Sequence, residues 1–170
     1  MKKILSFCLL ILAVILLQSY VSAKKTPRVL VFSKTKGFRH ASIEAGKVAI
    51  MKLGAEHNFA VDTTESAALF TESNLKKYAT VIFLSTTGDV LDEAQQAVFE
   101  RYIQAGGGYV GIHAATDTEY DWPWYGKLAG AYFLDHPAQQ DARFVIKDNK
   151  HSSTKFMTDS VWMHRAELYN

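Results

Sequence analysis

The chain has 170 residues, of which 48% are hydrophobic and 21% charged; this composition indicates one globular domain and excludes a disordered chain. The formal charge is +2, and loss of Lys2 and Lys3 with a predicted leader leaves 17 basic side chains against 17 acidic ones. A balanced charge gives no basic face, so we expect no nucleic-acid partner. The single cysteine, Cys8, also lies in the leader, which excludes disulfides, thiolate metal sites and cysteine-nucleophile catalysis in the mature chain.

Residues 1–23 have the organisation of a secretory signal peptide. Lys2 and Lys3 precede an apolar run from Ile4 to Leu17, and Val21-Ser22-Ala23 supplies a small-residue cleavage site. The apolar run is shorter than the ~18 residues of a spanning helix, which disfavours the alternative of an uncleaved membrane anchor. We therefore predict cleavage after Ala23, export to the periplasm or the medium, and no stable membrane insertion of the mature domain, residues 24–170.

Strand-like and helix-like segments alternate after the leader. Short β-branched and aromatic runs predict buried strands at 28–33, 59–61, 79–84, 108–112 and near 143–147. Helices are predicted after a Ser42 cap, over 71–77, from a capping box at Asp92–Gln95 to a stop at Gly106, and near 124–130. This alternation predicts an α/β fold with a mostly parallel sheet between helices.

Polar loops follow the first, third and fourth predicted strands. They comprise residues 33–40, 85–89 and 113–120. Ligands of open parallel sheets bind outside the carboxyl ends of the strands. We therefore expect these three loops to converge on one site at that edge of the sheet.

His113 is the strongest candidate for a catalytic residue. It follows Gly111 at a strand end where the chain turns sharply, a position that nucleophile elbows use in related architectures. Imidazole is a good general base and, when neutral, a good metal ligand. Asp117 lies four residues further on, where it can orient His113 or bind a sugar hydroxyl. The structural alternative is a buried histidine bonded to the backbone, with Asp117 capping the next helix.

Further polar and aromatic residues are candidates for substrate binding. Arg39 suits a carboxylate, a phosphate or a planar group, and Asp89 suits ligand hydroxyls or a metal. The complete set of binding candidates is Arg39, His40, Asp89, Thr116, Tyr120, Trp124 and His136. Each has an ordinary alternative, such as a surface loop for Arg39, a turn for Asp89 and a core plug for Trp124. The histidines show no helical ligand spacing, so a divalent metal is permitted but not indicated.

Motifs at 34–40, 88–91, 106–117, 122–125, 136–137 and 167–170 together resemble the ThuA-like (trehalose utilisation) family. The resemblance extends from about Arg28 to Asn170. It implies the class I glutamine amidotransferase-like fold, a flavodoxin-like three-layer α/β sandwich with a mostly parallel sheet. It also places His113 where amidotransferases keep their cysteine, so glutaminase activity is not expected.

The resemblance implies a role in sugar catabolism, particularly with 3-keto derivatives of trehalose and related glycosides. We therefore expect a sugar-active enzyme with a small carbohydrate as its partner, acting by base- or metal-assisted isomerisation, elimination or hydrolysis. A non-catalytic carbohydrate-binding module is the alternative, and a purely structural α/β domain is the third possibility. Residues 166–170 depart from the usual family motif Asp-Glu-Trp-Tyr-Asn, and family members normally continue for several more elements, so we expect a fragment of a longer domain.

Overall fold

The computed structural model describes residues 26–170. The predicted signal peptide and Cys8 lie outside these residues. Four parallel strands form the central sheet: β1 (Arg28–Phe32), β2 (Ala60–Thr64), β3 (Thr80–Leu84) and β4 (Gly108–Ile112). Four helices accompany them: α1 (Ser42–His57), α2 (Glu72–Leu75), α3 (Glu93–Gln104) and α4 (Pro123–Ala129). An antiparallel hairpin of β5 (Gln140–Val145) and β6 (Val161–Ala166) forms a second sheet.

The strand order β2-β1-β3-β4 is the order of a flavodoxin-like sheet, which confirms the predicted fold class. The β1–β3 and β3–β4 pairings are level at the carboxyl ends, with Phe32 opposite Phe83 and Leu84 opposite Ile112. The loops after β1, β3 and β4 consequently leave the sheet side by side. In the described part of the chain, none of the helices has the length and apolarity needed to cross a membrane.

Both faces of the sheet are covered, which makes three layers. Leu30, Phe32, Val81 and Phe83 share one apolar cluster with residues of α3 and α4, including the buried Phe99. The alternate residues, such as Val31 and Ile82, pack on the other face with Ile50 of α1. This period-2 alternation along apolar strands is the reason that the sequence pattern indicates strands buried on both faces.

The predicted ends of α3 are confirmed, whereas the predicted cap of α1 is wrong. Asp92 and Gln95 form the reciprocal capping box, and Gly106 takes the left-handed conformation, φ 94°, after the helix. Ser42 does not cap α1 but is its first residue. Ala41 before it already has helical backbone angles, and the carbonyl of His40 accepts a hydrogen bond from the Ile43 amide, so backbone replaces the hydroxyl.

Two strands also lie differently from their predicted positions. β2 begins one residue later and continues to Thr64, because pairing with β1 extends over the polar residues Asp62–Thr64. β5 begins at Gln140, before the predicted start near Arg143, because it pairs with β6 along its whole length. In both cases pairing with a neighbouring strand extends beyond the apolar residues from which the strand was predicted.

The carboxylate of Glu119 fastens the loop after β4 to the loop after β3. It is fully buried, and its Oε1 accepts hydrogen bonds from the amides of Val90 and Leu91 at 2.8 and 2.7 Å. Its Oε2 accepts a third bond from the side-chain amide of Gln96 at 2.6 Å. Burial raises the pKa of Glu119, and these three donors oppose that shift by stabilising the charged form.

We predict that Glu119→Ala lowers the free energy of unfolding by about 2–4 kcal/mol, because the buried amides of Val90 and Leu91 lose their acceptor. Glu119→Gln keeps one acceptor oxygen for these amides and should cost less. Urea denaturation followed by circular dichroism measures both variants. Glu93→Ala, at an exposed position of α3, is the control, and an equal loss in Glu93→Ala and Glu119→Ala would contradict the role given to the buried carboxylate.

Candidate functional site

The three polar loops at the carboxyl edge are hydrogen-bonded to one another. The amide of Gly37 donates to the hydroxyl of Thr87, which in turn donates to the carbonyl of Phe38. The amide of Gly88 donates to the carbonyl of Asp117 at 2.8 Å. The loop after β3 therefore holds the loop after β1 on one side and the loop after β4 on the other.

His113 stands at the end of β4 in a conformation that non-glycine residues rarely adopt. Its φ is 54°, in the left-handed region, and a short 3₁₀ turn, His113–Thr116, begins there. Gly111 is required just before it, because a Cβ at this position would lie 2.6 Å from the hydroxyl of Tyr109. The sharp turn predicted after β4 is thus present.

Four side chains surround the imidazole of His113. The ring of His40, from the loop after β1, lies edge-on with its centroid 4.4 Å away. The hydroxyl of Tyr169 is 3.0 Å from Nε2 of His113, and Oε2 of Glu167 is 3.6 Å from the same nitrogen. His136 stacks on the ring of Tyr169, with 6.0 Å between the centroids. The site thus contains three imidazoles, one phenol and one carboxylate.

The surroundings favour an uncharged imidazole and a protonated phenol. Burial and the neighbouring His40 lower the pKa of His113, against the opposing effect of Glu167. Burial and the charge of Glu167 raise the pKa of Tyr169 to about 12. A hydrogen bond from Gln139 lowers the pKa of Glu167, which is therefore a carboxylate. With these charges, the Tyr169 hydroxyl donates its hydrogen bond to an unprotonated Nε2 of His113.

These groups open into a polar cleft of about 520 Å³. Its walls come from the loop after β1, the end of β4 and the strand β6, and include Phe38, His40, His113, Gln139, His164 and Glu167. A slightly larger apolar cavity of about 560 Å³ lies between α2 and α3, next to Ala79 and Gly107 at the amino ends of β3 and β4. That cavity lies at the opposite end of the strands from His113, so the polar cleft is the candidate site.

Of the residues predicted from the sequence, the structure brings His40 and His136 to His113. Asp117 instead accepts a hydrogen bond from the hydroxyl of Tyr120 at 2.6 Å. The Tyr120 hydroxyl also lies 2.8 Å from the carbonyl of Phe133, and within residues 26–170 no hydrogen bond joins Asp117 to His113. Since Asp117 binds Tyr120, the group beside the reactive nitrogen of His113 is Tyr169.

The remaining predicted residues lie outside the cluster. The guanidinium of Arg39 pairs with Glu44 and Glu65, and Trp124 stacks on Trp122 at 5.1 Å against the apolar cluster. The Thr116 hydroxyl lies 3.5 Å from the carbonyl of His113. Asp89 is exposed at the turn after β3. Arg39 therefore lies in a surface loop and Trp124 packs on the core, as their structural alternatives state.

Glu167 and Tyr169 were not selected from their chemistry in the sequence. They follow β6, far along the chain from His113, and only the family resemblance included them. Two backbone hydrogen bonds, from the Leu134 amide to the Asn170 carbonyl and from the Asn170 amide to the Asp135 carbonyl, hold this segment beside the site. A Glu and a Tyr two residues apart after a polar strand gave no spacing signal of their own.

Within residues 26–170, no group of three His, Cys, Asp or Glu side chains has an arrangement suited to a metal ion. A divalent metal is therefore permitted but not indicated. The side chains of His40, His113, His136 and Glu167 are of types that bind such ions. Nothing in the site geometry requires one.

Fold and site together define a flavodoxin-like α/β protein whose fourth strand ends in a strained histidine beside a tyrosine and a carboxylate. The chain belongs to the ThuA family, which is described as trehalose utilisation, and the match covers residues 28–170. No curated protein is similar enough to be matched with the chain.

Two solved structures resemble the chain. A ThuA-like protein from Bacteroides uniformis ATCC 8492 has a TM-score of 0.71 and 26% identity, over 88% of this chain and 64% of that one. A ThuA-like protein from Parabacteroides merdae ATCC 43184 has a TM-score of 0.69 and 18% identity, over 86% of this chain and 63% of that one. At this identity the similarity shows a shared fold only. The chain thus spans slightly less than two thirds of the length of either protein.

We predict opposite shifts of the His113 pKa in two variants. His40→Ala should raise it, because a neighbouring imidazole is removed and solvent gains access, whereas Glu167→Gln should lower it, because the carboxylate that stabilises the imidazolium is neutralised. A titration of the histidine ring nitrogens by NMR measures both shifts. His57→Ala, at the far end of α1, should leave the pKa unchanged, and a rise in Glu167→Gln would contradict the assigned electrostatics.

Proposed function

We propose that the chain is an exported enzyme of carbohydrate catabolism that acts on 3-keto glycosides, such as derivatives of trehalose, with His113 as its general base. The observation that carries the proposal is the hydrogen bond of 3.0 Å between the Tyr169 hydroxyl and Nε2 of His113 at the wall of an open polar cleft. Membership of the trehalose utilisation family supports the choice of a sugar substrate. The sequence of residues 1–23 supports export.

The reaction uses the acidity of the carbon next to a ketone. When a 3-keto glycoside binds, the Tyr169 hydroxyl turns from Nε2 of His113 to the C3 carbonyl oxygen. The freed Nε2 accepts the proton of C2, and the electron pair of the C2–H bond moves to form an enolate on the C3 oxygen. Tyr169, a protonated phenol with a raised pKa, donates a hydrogen bond to this enolate. The enolate then returns to the C3 ketone, the C1–C2 double bond forms as the bond between C1 and the glycosidic oxygen breaks, and the leaving oxygen takes its proton from the imidazolium of His113.

The same intermediate leads to three outcomes that differ in its last step. Loss of the aglycone gives elimination, subsequent addition of water to the C1–C2 double bond gives net hydrolysis, and return of a proton to C2 from the other face gives isomerisation. Glu167 stabilises the imidazolium that forms when His113 accepts the proton, since its carboxylate lies 3.6 Å from Nε2. In this scheme His40, which lines the cleft beside His113, binds a substrate hydroxyl, and His136 packs on the ring of Tyr169.

We predict that His113→Ala lowers turnover of a 3-keto glucoside by at least about 100-fold, the usual contribution of a general base. Tyr169→Phe should lower kcat with a smaller effect on binding, because the lost hydrogen bond acts on the enolate. Ultraviolet absorbance of the unsaturated ketone, together with release of the aglycone, measures the rate. His57→Ala is the matched control.

Two results separate the proposal from its alternatives. Unchanged turnover in His113→Ala would remove His113 from the mechanism, and sugar binding without any turnover in the unmutated protein would identify a carbohydrate-binding module. Elemental analysis of the purified protein tests the metal-assisted route. A stoichiometric divalent metal that is lost in His113→Ala would make His113 a ligand instead of a base.

The pH dependence follows from the lowered pKa of His113. Because burial and His40 hold the pKa of this imidazole below its ordinary value of 6.5, the neutral base persists into mildly acidic solution. We predict that kcat/KM declines as the pH falls and His113 becomes protonated, with the midpoint of the decline below 6.5. A pH–rate profile of the unmutated enzyme measures this, and a decline centred above 6.5 would contradict it.

A further inference from the structure

The hairpin of β5 and β6 carries an aromatic face that is separate from the groups around His113. Trp162 and His164 alternate with Met163 along β6 and therefore lie on the same face of the strand. Their rings are stacked, with centroids 4.8 Å apart and planes 12° from parallel. Phe144, directly across from Trp162 on β5, lies 5.3 Å from the indole.

One end of this aromatic face lies in the cleft. His164 belongs to the cleft wall that also contains His113 and Glu167. Trp162 lies two residues before His164 on the strand, and its ring is one step of 4.8 Å, centroid to centroid, from the imidazole. A step of this size is comparable to the distance between neighbouring sugar rings in a disaccharide. The aromatic face therefore starts at His164, in the same cleft as His113, and continues to Trp162, where a second sugar ring can lie.

Trp162 presents an open, ordered surface. Trp162 is 46% exposed, and the rings of Phe144 and His164 pack against its indole, so the indole is held in place while nearly half of the residue stays open to solvent. Aromatic rings bury the apolar C–H face of a pyranose well, and a ring fixed before binding loses little conformational freedom. Polar neighbours in the cleft, Gln139 and Arg165, offer hydrogen-bonding groups for the sugar hydroxyls at the rim.

We propose that Trp162 and His164 form a subsite for the second sugar ring of a glycoside whose 3-keto ring lies at His113. The substrates are then disaccharides or longer glycosides, and the ring on Trp162 is the sugar that leaves. This inference rests on the proposed function for the position of the first ring. The stacking surface itself is a separate feature, and binding alone can test it.

Calorimetric titration with two pairs of ligands tests the subsite. The first pair is trehalose and methyl glucoside, which do not react, and the second pair is their 3-keto forms, measured also by turnover. Trp162→Ala should weaken binding of each disaccharide about tenfold, the effect of losing about 1.4 kcal/mol of stacking, and should leave each methyl glycoside unchanged. Trp162→Phe should retain most of the affinity, and Met163→Ala, on the other face of β6, should change neither ligand.

Three outcomes would overturn the subsite. Equal losses for disaccharide and methyl glycoside in Trp162→Ala would show a general disturbance of the site, and unchanged binding of both would leave Trp162 without a ligand. A changed molecular mass in sedimentation, without a change in sugar binding, would identify the face as a contact between protein chains. If His113→Ala leaves turnover intact while Trp162→Ala still weakens trehalose binding selectively, the catalytic proposal fails and the stacking surface remains.

Discussion

The burial of the Glu119 carboxylate is the constraint on which the arrangement of the site depends. A charged group with no access to water must be satisfied by internal donors, and here the donors are the amides of Val90 and Leu91 and the side chain of Gln96. These bonds join the loop after β4, which begins with His113, to the loop after β3. Thr87 in that second loop binds the backbone around Gly37 and Phe38, just before His40. The position of His40 against His113 is therefore a consequence of a chain of buried and partly buried polar contacts.

Desolvation gives the site its chemical character. A partly buried imidazole beside another imidazole favours its neutral form, and a phenol beside a carboxylate favours its protonated form. Together they provide a proton acceptor and a proton donor 3.0 Å apart without any metal or cofactor in the scheme. The strained backbone of His113 brings the imidazole to this position, and the residues that follow it, Ala114 and Ala115, are buried.

The hairpin of β5 and β6 distinguishes this site from a bare sheet edge. It supplies His164 to the cleft wall, and the segment that follows it supplies Glu167 and Tyr169. The site is therefore built from two parts of the molecule. The parallel sheet positions His40 and His113, and the hairpin with the segment after it provides the carboxylate, the phenol and an aromatic surface.

The sequence by itself determined the parallel α/β fold, the capping box of α3, the stop at Gly106 and the convergence of three loops on one edge. These features are local: alternating apolar residues, capping side chains and glycine conformations depend on neighbours within a few positions, and level strand ends then bring the loops together. Tertiary structure decided which loop residues meet. Asp117 lies four residues from His113 but binds Tyr120, Arg39 lies beside His40 but turns to Glu44 and Glu65, and Tyr169 reaches His113 from the far end of the chain. Such partners are chosen by side-chain direction and long-range packing, which residue spacing along the chain does not encode.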